Sequence, residues 1–216
     1  MRHLNIIAAS FVFFAQPVAA QDFAGCSLPQ TEIVNEALGS AKFLTLRAAS
    51  AILDTTHYRR WFGDYSIQNA EKVRSSLKAM VTAIRGGAVT VQCNQASSSG
   101  CRAGEYAFVY ANAPYLVNLC PPFFNLPHLE ALQPGMRRSE NGTREGTIVH
   151  ELSHFLRVAG TEDHCYSRSA CADMASLNAR LAIDNADSYQ YFTEDVTYFA
   201  RQPVANKPPP VPRNDR

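Results

Sequence analysis

No charge of either sign predominates in this sequence: 20 lysines and arginines stand against 19 aspartates and glutamates, a net +1. That balance removes the electrostatic case for a nucleic-acid or anionic-membrane partner. Long apolar runs are scarce. Leu4 to Ala15 is the longest, and it falls short of the roughly 20 residues a membrane-spanning helix needs. No internal repeat and no long low-complexity tract occur, which sets solenoid architectures aside. Cysteines in the close paired spacing of a zinc-thiolate site are absent. No serine sits in a nucleophile-elbow context, so a Ser-His-Asp hydrolase has nothing to stand on.

What is present fits one globular domain. Of 216 residues, 46% are hydrophobic, enough for a substantial core. Met1 to Ala20 reads as a secretory signal: Arg2 and His3 precede the apolar stretch, and Val18-Ala19-Ala20 supplies small residues for cleavage. The domain is then expected over residues 21–201, followed by a flexible tail at 202–216 that contains Pro208-Pro209-Pro210. All six cysteines, Cys26, Cys93, Cys101, Cys120, Cys165 and Cys171, follow the signal. Their even number fits disulfides in an oxidising compartment, extracellular or periplasmic, and six allow 15 pairings.

The chain is organised around Gly146 to Tyr166. Within it His150-Glu151-Leu152-Ser153-His154 has the spacing H-E-x-x-H. Residues i and i+4 share one helix face, so the two imidazoles can meet one metal ion. Glu151, next to the first of them, can hold an attacking water, as in zinc peptidases. Ile148, Leu152 and Phe155, with Val149 and Leu156 beside them, give that helix an apolar stripe, and Gly160 is its stop signal. Catalytic zinc takes three protein ligands. The pattern H-E-x-x-H-x-x-G-x-x-H is excluded, because Arg157 and Gly160 occupy the positions of its glycine and last histidine. A class that takes a glutamate from a later helix would have to use Glu194, the only glutamate after Glu162; the nearer option is Asp163, just past the Gly160-Thr161 turn. His164 is a weaker competitor, since it and its neighbour Asp163 cannot easily face one ion together.

Gly160-Thr161-Glu162-Asp163-His164-Cys165-Tyr166 resembles the G-T-x-D-x-x-Y-G motif that follows H-E-x-x-H in the aspzincins, the deuterolysins and peptidyl-Lys metalloendopeptidases. The resemblance implies that Asp163 is the third ligand of one zinc per chain and that Tyr166 stabilises the transition state. Ser167 stands where the motif ends in glycine, a replacement at ease only with negative φ. Trp61-Phe62-Gly63 and Asp184-Asn185-Ala186-Asp187-Ser188-Tyr189 resemble further segments of the family, so the likeness spans roughly residues 26–199. Cys165 and Cys171 flank a short segment beside the ligand and form one expected bridge. Sequence order and the family's N-terminal bridges suggest Cys26–Cys93 and Cys101–Cys120.

The remaining chain reads as α+β, mainly helical: a zincin-like domain with a small β-sheet beside the H-E-x-x-H helix. Residues 30–54 form a helix or two, with Gly39-Ser40 as a possible kink, and a second helix runs from about 66 to 85. The Tyr58–Phe62 aromatic cluster reads as core. Short strands are expected near 89–93, 106–110 and 115–119, helices at 171–184 and from Asp187 onward. His57 and His128 read as structural, Glu162 as a solvated turn residue, and Asn141-Gly142-Thr143 as a glycosylation sequon.

The expected function is a secreted, monomeric zinc metalloendopeptidase acting on proteins or peptides, with Glu151 as general base. The alternatives are a non-catalytic zinc-stabilised binding module and a zinc amidase acting on cell-wall peptides. In the lysine-specific branch that the chain resembles, an acidic pair on the last helix receives the substrate ammonium at P1′. Asp187 and Gln190 stand at those positions. Asp187 can equally be an N-cap. A carboxylate with an amide implies a preference for Lys or Arg at P1′ that is weaker than strict lysine specificity.

Overall fold

Ser27 opens the longest helix of the computed structural model, which describes residues 23–131 and 142–200. The expected signal at 1–20, the sequon asparagine Asn141 and the tail from 202 lie outside the described residues. Helix α1 (Leu28–Ser50) starts with a capping box, in which Ser27 and Gln30 satisfy each other's backbone N–H groups. Val34, Ala37, Leu38, Ala41, Leu44 and Ala48 recur at helical spacing and are all buried, so one face of α1 is core along its length. It runs through Gly39 unbroken, so the stretch expected as a helix or two is one. The packing of its buried face outweighs the weak helix propensity of one glycine.

A short helix, α2 (Thr56–Phe62), carries Tyr58, Trp61 and Phe62, each fully buried. The aromatic cluster is therefore core, as its composition indicated. Helix α3 (Ile67–Arg85), capped by Ser66, packs on α1 through Ala70, Val73, Leu77, Met80 and Ile84. A four-stranded sheet follows, built from β1 (Phe23–Ala24), β2 (Thr90–Cys93), β3 (Ala107–Phe108) and β4 (Leu116–Leu119) in the order β1-β2-β4-β3. The pairs β1/β2 and β2/β4 are parallel, and β3 runs antiparallel to β4, with Ala107 opposite Leu119. That leaves β3 as a free edge on the side of helix α4 (Arg144–His154).

Two bridges hold the sheet. Cys26–Cys93 closes a long stretch of chain onto β2, and Cys101–Cys120 ties the loop ahead of β3 to the end of β4. The third, Cys165–Cys171, spans the loop between the Gly160 turn and the helix that follows it. The stretch expected as one helix at 171–184 is two, α5 (Arg168–Leu177) and α6 (Ala179–Ile183). Asn178 separates them: its side chain accepts from the N–H groups of Arg180 and Leu181, restarting the chain as an N-cap. Helix α7 (Ala186–Ala200) packs against α1, α2 and α4. Gly146 permits the closest part of that contact, since a Cβ there would fall 2.1 Å from Glu194 Oε1. No helix among the described residues is long and apolar enough to cross a membrane.

Candidate metal centre and its cleft

Helix α4 is driven into place by Ile148, Val149 and Leu152, all fully buried, and that fixes which way its opposite face looks. His150 and His154 lie on that face, with their Nε2 atoms 3.1 Å apart. The helix ends at His154, earlier than the apolar pattern through Leu156 implied. Phe155 turns to an extended ψ of 130°, and its carbonyl accepts from both Val158 and Gly160, closing a tight reversal. Gly160 takes φ +61° there, the left-handed region a glycine enters freely. Leu156, on the reversal, is exposed.

The reversal returns the chain over its own histidines. The Thr161 carbonyl oxygen lies 2.7 Å from His154 Nδ1, and Asp163 Oδ1 lies 3.3 Å and 3.6 Å from the Nε2 atoms of His150 and His154. Asn185, fully buried, secures the loop by accepting from the N–H groups of His164 and Cys165. On the other ring, His150 Nδ1 is 2.8 Å from Asp187 Oδ1. Each imidazole thus donates from Nδ1 to a fixed oxygen and turns its Nε2 towards Asp163, and that Nδ1 contact is the usual second contact of a metal-binding histidine.

The donor set fits a tetrahedral metal. Bonds of 2.0–2.1 Å put the ligand atoms of such an ion about 3.3 Å apart, and the three separations here run from 3.1 to 3.6 Å. Electrostatics agree. Burial disfavours a charged His150, yet hydrogen bonds to Asp163 and Asp187 outweigh it and raise its pKa well above the usual value. Burial and the nearby His150 hold His154 down. The site favours positive charge between the rings, and a divalent cation such as zinc would supply it.

Glu151 is 4% exposed. Burial pushes its carboxyl up to about 7; His150 opposes the rise, while Asp163, Glu105 and Asp187 add to it. Tyr166 projects at the rim, 64% exposed, its hydroxyl pushed up to about 12 by partial burial and then by Asp163. Ser167 takes φ +75°, ψ 153°, against the expectation of a negative φ, and is the only non-glycine residue of positive φ among those described. Such a conformation costs on the order of 1–3 kcal/mol. Its surroundings impose it: the Ser167 N–H donates to Asp187 Oδ2, and the next residue, Arg168, is drawn into buried ion pairs with Glu194 and Asp195.

Glu194, the alternative third ligand, is elsewhere. Its Oε1 accepts from the N–H and the hydroxyl of Thr143, 2.9 Å each, so it secures the N-cap of α4 while its other oxygen meets Arg168. His164 pairs with Asp184, and His128 with Glu145, away from the metal centre. Asp187 lies inside the first turn of α7, so it is not the N-cap. It lines the cleft with Gln190, but both its oxygens are engaged, one by His150 and one by Ser167. Its link to His150 was not visible in the sequence, where 37 residues separate the two. Losing a partner of this kind typically weakens metal binding by about 10–100-fold. Asp187→Asn is expected to do so, measured by zinc competition against a chelator; unchanged affinity would show that the contact does not tune the ligand.

Comparisons with known proteins agree with this geometry. A family profile of the aspzincin M35 group, described as lysine-specific metallo-endopeptidase, matches residues 47–194. An extracellular protease of Aeromonas hydrophila is 31% identical over 197 residues, covering 88% of this chain and 52% of that protein. A peptidyl-Lys metalloendopeptidase of Pleurotus ostreatus is 32% identical over 177 residues, covering 80% of this chain and 96% of that one. The chain thus spans about half the length of the Aeromonas relative and nearly all of the Pleurotus one. A solved zinc peptidase from Grifola frondosa superposes with a TM-score of 0.67 at 27% identity, over 79% of this chain and 97% of that structure.

Proposed function

Since the chain belongs to the aspzincin M35 family, we propose that it is a zinc metalloendopeptidase whose metal is held by His150, His154 and Asp163. The observation that carries this reading is the triangle of ligand atoms, its edges matching tetrahedral zinc while both Nδ1 positions are already occupied. When bound, the zinc lowers the pKa of water towards neutrality and polarises the scissile carbonyl.

The chain's own residues do the rest. Glu151 takes the proton of the attacking water and passes it to the leaving amine; a carboxyl group with a pKa raised towards 7 suits both halves of that transfer. Tyr166 keeps its proton at any working pH and donates it in a hydrogen bond to the developing oxyanion. Asp187 fixes the tautomer and the aim of His150. The free edge of β3, beside α4, offers backbone groups to an extended substrate as an added strand.

The finer specificity is a preference for Lys or Arg at P1′, short of strict lysine selection, because Gln190 contributes an amide where a second carboxylate would bind an ammonium more strongly. Export is supported by the three disulfides and by the relative named an extracellular protease. Casein digestion tests the reading. The protein is expected to cleave casein, to stop when a chelator strips the metal, and to recover on zinc addition. Zinc binding without cleavage would point instead to a binding module, and release restricted to cell-wall peptides would point to an amidase.

A further inference from the structure

The cleft beside the metal centre encloses about 400 Å³ and is lined by Glu151, Tyr166, Asp187, Gln190 and the turn at residues 103–107. Gln190 is only 3% exposed, yet its carboxamide has no hydrogen-bond partner among the described residues. Left without a protein partner, an amide keeps its donors and its acceptor open. One that faces a cavity marks a place where a ligand supplies the missing contact. The charge to accompany it does not come from Asp187, whose two oxygens hold His150 and Ser167.

Glu105 lines the same cleft as Gln190, near enough to Glu151 and Tyr166 for its charge to act on both. It is exposed, and no cationic side chain among the described residues pairs with it. Nor is it on a loose loop. Gly104 turns the chain at φ +88°, the Glu105 N–H donates to the Arg102 carbonyl at 3.0 Å, the Cys101–Cys120 bridge anchors the turn, and β3 begins two residues later. An exposed carboxylate on an anchored turn thus shares a cavity with an unpartnered amide, within electrostatic reach of the general base.

We propose that Glu105 is a specificity-determining residue of this cleft, pairing with the cationic end of a substrate side chain whose remaining N–H groups donate to the Gln190 carboxamide oxygen. The proposal rests on the peptidase reading and deepens it. It transfers the charge selection at P1′ from the α7 helix to the turn ahead of the edge strand. A guanidinium or an ammonium meets that chemistry, since both offer several donors and a positive charge.

The test uses the zinc-loaded full chain and three peptides that differ only at P1′: lysine, leucine and glutamate. In the unmodified protein kcat/KM is expected to favour lysine over leucine. Glu105→Gln is expected to lower that ratio by about tenfold, the value of one charge-assisted contact exchanged for a neutral one at a solvent-facing site. Glu105→Lys is expected to invert the order, so that the glutamate peptide is cleaved fastest. A simple folding or positioning role would lower all three rates together and leave the ratios alone. That outcome, or ratios unchanged in both variants, overturns the proposal while leaving the peptidase reading intact. Failure of the unmodified, zinc-loaded protein to cleave any of the three overturns the peptidase reading itself.

Discussion

Replacing Glu151 with glutamine is expected to leave one zinc per chain and to lower turnover by roughly 10²–10⁴, the usual contribution of a positioned general base. The substitution keeps the shape of a side chain that is 4% exposed and packed in α4, and it touches none of the three metal-ligand atoms. What it removes is the ability to take a proton from water and return it to the leaving amine. Stability should move the other way. Burial raises the Glu151 pKa from 4.5 to about 7. Because the unfolded chain releases this proton more readily, the carboxyl group withdraws stability from the unmodified protein as pH rises from about 4.5 to 7. In the chelator-stripped state, Glu151→Gln should therefore unfold at a higher temperature near pH 8 and at nearly the same temperature near pH 4. Metal analysis, steady-state kinetics and thermal melts at the two pH values check all three parts. Retained turnover would remove Glu151 from the mechanism.

Asp163→Ala is expected to lose both metal and activity, with zinc affinity falling by more than the about 100-fold attributed to a lost second contact. Two imidazoles would remain, and the buried carboxylates and Asp184 nearby are already held by other partners. Glu194 is tied to Thr143 and Arg168, Asp187 to His150 and Ser167, and Asp184 to His164. The folded frame should survive, because Asp163 lies in an exposed turn held by Gly160, Asn185 and the Cys165–Cys171 bridge. Dialysis against dilute chelator followed by metal analysis separates the two variants: Glu151→Gln keeps its zinc and Asp163→Ala gives it up. Full metal with full turnover in Asp163→Ala would place the third ligand elsewhere.

These two residues also divide what could be read in the chain from what could not. His150, Glu151 and His154 were legible because their relation is local: an i, i+4 spacing on a helix is a geometric statement that needs no partner element. The burial of Tyr58, Trp61 and Phe62 was legible from side-chain chemistry. Asp163 and Glu194 were the two candidates for the third ligand, and a family resemblance favoured Asp163. Seeing the two apart took the fold, in which Gly160 returns Asp163 to the histidines while α7 directs Glu194 to the far end of the same helix.

The sequence by itself determined the face that could carry a metal, the mainly helical class and an even set of cysteines suited to bridging. Only the tertiary structure decided that α4 stops at His154, that Asp187 is spent on His150, that Ser167 is held at positive φ and that Glu105 and Gln190 line one cleft. The last three of these depend on contacts between residues tens of positions apart. Such contacts are set by how α4, α7 and the sheet pack together, and packing leaves no periodic trace in the residues it joins.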